Sequence, residues 1–76
     1  METLKVIIHW CETNYGASVE DARIGGAVVA THKTFDGICE AIRSALDFHI
    51  ESCINDGDDL PDWLVNGNYE LDFITK

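Results

Sequence analysis

A chain of 76 residues has room for one domain and no second core, and at this size only about 60% of the surface exposed by the unfolded form is buried on folding. Fourteen carboxylates against five lysines and arginines give a formal net charge of −9, which excludes unaided binding to nucleic acid or to an anionic membrane, since both need a cationic face. A basic partner is the natural complement of such a surface, although acidity alone also serves solubility.

The first residues, METLKVIIHW, lack a basic segment followed by a long apolar one, and no hydrophobic run approaches the ~20 residues that span a bilayer. Residues 4–12, LKVIIHWCE, alternate Leu4, Val6, Ile8 and Trp10 with Lys5, Ile7, His9 and Cys11. Both sets carry apolar side chains, which predicts a central strand with one face under a helix and the other partly covered. The alternation assigns Trp10 to the core. His9 and Cys11 share a face, as two zinc ligands would, but no second close pair accompanies them, so Ile7, His9 and Cys11 are assigned to packing or to an interface between copies of the chain.

Thr13 and Asn14 make a polar break before Tyr15, Ala17 and Val19 alternate in a second strand, which predicts a hairpin. Glu20–Gly26 reads as a loop whose Gly25-Gly26 pair permits positive φ, and Ala27–His32 as a short third strand.

Thr34 to Cys53 predicts one long amphipathic helix. Phe35, Ile38, Ile42, Ala45, Leu46, His49 and Cys53 recur at three- and four-residue steps with charged residues between them. Thr34 is the expected N-cap, Asp36 adds negative charge in the first turn, and Asn55-Asp56-Gly57 followed by Pro61 ends the helix. About 20 residues make a rod of roughly 30 Å, enough to cross a small sheet. His49 on the apolar face reads as a hydrogen-bonded residue at the core edge. Cys39 and Cys53 lie fourteen residues apart, roughly 21 Å along the axis, too far to bridge. Both read as small buried side chains, and the odd total of three cysteines argues for a reducing, cytoplasmic setting.

Beyond the helix, Asp56, Asp58, Asp59 and Asp62 make an acidic connection. An EF-hand would need glutamate at the twelfth position from Asp56, where Gly67 stands, so the segment reads as a solvated loop or one that faces a basic partner. Trp63, Leu64 and Val65 form an apolar patch, with Trp63 either covering the core or anchoring an interface. Tyr69, Leu71 and Phe73 alternate in a last strand. The expected fold is α+β, βββαβ, a four-stranded mixed sheet in the order 3-2-1-4 with the helix packed on one face only. Strand 1 is then central, and the uncovered face is available for self-association or a partner.

The segments KVIIHW, NYGASVED, VATHKT, TFDGICEAIRSALDFHIE, DGDDLPDWL and NYELDF resemble the HicB antitoxins of bacterial HicA–HicB toxin–antitoxin systems, over nearly the whole chain. The Tyr15-x-Ala17-x-Val19-x-Asp21 strand and the threonine-initiated helix with Ala41-Ile42-Arg43, Ala45 and His49-Ile50-Glu51 carry the resemblance. Two features depart from the family pattern. The segment between strands 2 and 3 lacks the usual proline-containing turn, and Gly37 replaces an acidic residue early in the helix, removing half of a capping box. Many members also carry a C-terminal DNA-binding module; no such module lies within residues 1–76, whether the chain is a domain of a longer protein or a short form, so DNA binding is not assigned to these residues.

The resemblance implies a partly RNase H-like fold over residues 1–76, self-association as a dimer or larger assembly, and binding to a small basic HicA-like ribonuclease toxin whose active site it covers. Asp56, Asp58, Asp59, Asp62 and Trp63 are the candidate partner-binding residues. No catalytic, cofactor or metal-binding residue is expected, because strand 1 offers only Glu12, at its far end, for a metal-dependent nuclease site. The alternative reading is an oligomerisation or ligand-sensing module of the same fold without a toxin partner.

Overall fold

A computed structural model describes residues 1–76. Four strands form one sheet in the order β3-β2-β1-β4, with β1 at Glu2–Cys11, β2 at Asn14–Asp21, β3 at Gly26–His32 and β4 at Tyr69–Thr75. β1 pairs antiparallel with β2 and parallel with β4, and β2 pairs antiparallel with β3. The long helix α1, Phe35–Asn55, connects β3 to β4 across one face, followed by a single turn of helix, α2, at Asp62–Val65. The expected α+β architecture and strand order are those observed. No helix is long and apolar enough to cross a membrane.

The two alternating sets of β1 explain the layering. Leu4, Val6 and Ile8 are fully buried beneath α1, joined by Ala17 and Val19 of β2, Val28 of β3, and Ile38, Ile42, Leu46 and Ile50 of the helix in one contiguous core. α1 runs closest to β3 and β2, where the side chains beneath it include Ala17 and Ala30; the bulkier Leu71 and Phe73 pack against the core from β4. Small residues on one side and large ones on the other thus set how the rod lies on the sheet.

Both ends of the helix are bounded as their residues require. Thr34 Oγ1 accepts from the Gly37 amide at 3.0 Å and its carbonyl accepts from Ile38 at 2.9 Å. At the other end the amides of Asp56, Gly57 and Asp58 donate to the carbonyls of Ser52, Ile54 and Cys53, with Gly57 at φ 79°. The helix therefore runs two residues beyond the expected Cys53.

Three details differ from expectation. Trp10 points to the helix side of the sheet but is 53% exposed, because β1 continues past the N-terminal end of α1; its ring packs edge-on against Tyr15 at 4.8 Å, and Tyr15 against Phe35 at 5.7 Å. Trp10 is therefore not a core residue. The segment expected to be loop contains the end of β2 and a 3-10 turn at Ala22–Ile24, which places Ile24 in the core with no exposure. The β1–β2 hairpin turns at Glu12-Thr13, with Glu12 at φ 45°, the positive φ that a two-residue turn demands.

Candidate functional site

Two surfaces contain the residues singled out from the sequence. The first is the sheet face opposite α1. Ile7, His9 and Cys11 project from it side by side on β1, with Ile7 half-buried and the other two exposed. Cross-strand register places Ile7 between Ser18 and Ile74, with Val29 beyond Ser18, so a single row runs Val29, Ser18, Ile7, Ile74 across all four strands. Val29 is 72% exposed. The His9 ring lies over Gly16, where an added Cβ would stand 3.0 Å from Nε2, so glycine is what permits this stacking. Lys5 and Asp72 face each other across the β1–β4 pair, leaving this face mixed in charge.

The second surface is the end of the molecule where α1 stops. Asp56, Asp58, Asp59 and Asp62 are all exposed there. Between residues 44 and 62 stand six carboxylates and not one lysine or arginine, whereas residues 1–43 hold six carboxylates with four lysines and arginines. The acidity is therefore segregated rather than spread. The last turn of α1 carries no basic residue, although the helix dipole places partial negative charge at that end.

Trp63 behaves differently from the aspartates with which it was grouped. It is half-buried against the core, meets Tyr69 edge-on at 6.2 Å, and supports the Arg23 guanidinium 5.1 Å from its ring centre. Arg23 also donates to both Asp21 carboxylate oxygens, to Glu2 at 2.8 Å and to the Thr3 carbonyl at 2.9 Å. This side chain ties the β2–β3 connection, the start of β1 and α2 together, a role invisible in its sequence neighbourhood. The Arg23 side chain and amide hold the Asp21 carboxyl below its ordinary value of 3.8. A lowered folded value means that the pair stabilises the fold above the ordinary value, an effect lost as pH falls through the folded one.

His49 and Cys53 are the only juxtaposition suggestive of nucleophilic chemistry, with Sγ 3.6 Å from Nε2. His49 Nε2 is 2.8 Å from the Ile24 carbonyl, an acceptor, so this nitrogen carries the proton and cannot serve Cys53 as a base. Burial first, and then Asp58 and Asp56, push the Cys53 thiol up, which keeps it protonated at neutral pH. The pair is structural: it fastens the 3-10 turn to the helix, as expected for a histidine at the core edge. Cys39 is half-buried and Cys11 exposed. No group of three or more His, Cys, Asp or Glu side chains converges as a metal site.

No protein-family model matches this chain, and no curated protein or solved structure matches it either.

Proposed function

We propose that this protein is a non-enzymatic antitoxin-like binding protein that covers a small, basic, RNA-cleaving protein and so blocks its access to RNA. The observation that carries this reading is the charge segregation: six carboxylates between residues 47 and 62 with no lysine or arginine among them, four of them in an exposed acidic loop. A cationic RNA-binding surface is attracted to such a patch and, once covered, is closed to RNA phosphates. The resemblance of the strand and helix segments to HicB antitoxins supports the same class of partner. The protonated Cys53 thiol and the committed His49 nitrogen favour covering over catalysis.

The experiment is RNA cleavage by a small basic ribonuclease, any encoded beside this gene being the first choice, measured with increasing amounts of the chain. Cleavage should cease at equimolar addition, with the effect weakening as salt is raised. Failure to form any complex at low salt sinks the reading.

A second reading, an oligomerisation module without such a partner, is favoured by the row Val29, Ser18, Ile7, Ile74 on the uncovered face and by edge strand β3, which carries no Asp, Glu, Lys or Arg to deter pairing. A monomer by light scattering on the chain alone removes this second reading; an assembly is compatible with both, and inhibition of a basic ribonuclease then decides for the first.

A further inference from the structure

Where α1 approaches its end, α2 and the start of β4 leave an open groove of about 230 Å³. Ile50, Leu64 and Tyr69 form its floor, Ile54 and Val65 its walls, and Asp47 and Glu51 its acidic rim. The walls are 48% and 45% exposed, which puts apolar surface beside carboxylates at the most acidic end of the protein. The volume lies below the range of about 300–1,000 Å³ typical of pockets for drug-sized molecules, and suits one or two inserted side chains.

We propose that this groove seats an amphipathic, basic segment of a protein partner, with aliphatic side chains entering between Ile54 and Val65 and lysine or arginine groups meeting Asp47 and Glu51.

Two electrostatic costs in the free protein argue for this occupant. Asp47 and Glu51 stand four residues apart on α1, a like-charge spacing that destabilises a helix. The last turn of α1 adds the negative end of the helix dipole without any basic residue to offset it. Tyr69 registers the same field: burial first, and then the Asp47 charge, raise its hydroxyl pKa against the opposing effect of Arg43. A cation bound at the rim relieves both costs.

Other occupants fit worse. A second copy docked by this face brings two acidic rims together, and nucleic acid or an anionic bilayer meets the same repulsion. Of the chain's own cations, Arg43 reaches this region, one turn before Asp47 and over Phe73, and offsets part of the Asp47 charge, but Glu51 has no such neighbour; Arg23 is bound to Asp21 and Glu2. The inference rests on the basic partner of the proposed function, but assigns it to a groove separate from most of the loop aspartates.

The test uses the full chain and a labelled synthetic peptide of about 15 residues, helical, with leucines along one face and lysines on the other. A peptide of the same composition in scrambled order is the control. Anisotropy in about 50 mM salt should show the amphipathic peptide binding at least about tenfold more tightly than the scramble. Ile54→Ser with Val65→Ser should lose about tenfold, as should Glu51→Lys alone, while Val29→Ser on the opposite face leaves binding unchanged. Circular dichroism establishes that each variant is folded, and should the double variant unfold, Glu51→Lys decides. Equal binding of the scramble, or full affinity in the groove variants, overturns the proposal. Undiminished ribonuclease inhibition by a folded groove variant also overturns it and leaves the proposed function standing. Peptide capture in the groove by a chain that inhibits no basic ribonuclease supports the groove and removes that function.

Discussion

The two ends of α1 are finished by opposite means. At the N-terminal end every local device favours the helix: Thr34 caps the Gly37 amide, Asp36 meets the dipole, and His32 Nδ1 accepts from the Thr34 amide at 3.2 Å. Beside it the Trp10, Tyr15 and Phe35 rings form a T-shaped series over the end of the sheet. At the C-terminal end the carbonyls are satisfied by the following amides, but the charges oppose the helix, with Glu51, Asp56, Asp58 and Asp59 gathered at its negative pole. That end is held by packing from elsewhere in the chain, through Ile24, Leu64 and Trp63. An end that is electrostatically complete has little to gain from a partner, whereas one that is packed but uncompensated gains most from a cation.

The largest effect should come from removing the packing beneath the acidic end. Ile24→Ala leaves a cavity under a side chain with no exposure and should lower unfolding free energy by about 2–5 kcal/mol in denaturant titration, although it lies in a connecting turn. A loss within the error of the titration would mean that Ile24 is not part of the foundation. At the opposite end, Thr34→Ala removes the capping oxygen and should cost about 1 kcal/mol.

Charge changes at the acidic end should act in the other direction. Asn55→Lys puts a cation in the last turn of α1 and should raise stability by about 0.3–1 kcal/mol at low salt, with the gain fading as salt is added. A destabilisation would contradict the uncompensated dipole.

The smallest effect is expected at Gly37. Alanine there should favour the helix by up to about 1 kcal/mol, but its Cβ would stand 2.0 Å from His32 Nδ1, so the ring must swing away and release Thr34. Gly37→Ala should therefore yield almost nothing by thermal melting in the wild-type background and a measurable gain beside His32→Ala. Equal effects in both backgrounds would dismiss the contact. The same contact accounts for glycine where a capping-box acid was expected.

The order of elements was legible because its signals are local: two-residue alternation in the strands, the three- and four-residue steps of α1, and Thr34 before them. His49 was legible as a bonded residue at the core edge, though not the Ile24 carbonyl it meets, which lies 25 residues away. Trp10 shows a limit of alternation, which assigns a side chain to a face but not to the length of sheet that the helix covers. Ile24 is a lone apolar residue among polar neighbours and carries no period; its burial depends on the 3-10 turn folding back. The groove was hidden for a similar reason, since Ile54, Val65 and Tyr69 come from three elements and meet only after α2 turns. The acidic loop was readable from composition, but Trp63 beside it turned out to pack beneath Arg23, a contact across 40 positions that spacing does not encode.

The most direct test of the acidic end as the binding end is backbone amide hydrogen exchange on the full chain, alone and with a small basic ribonuclease that it inhibits. The account predicts new protection concentrated between residues 47 and 69, around Glu51, Ile54, the acidic loop and Val65. Protection confined to Ile7, His9, Cys11 and Val29 on the uncovered sheet face, or no change at all, would contradict it.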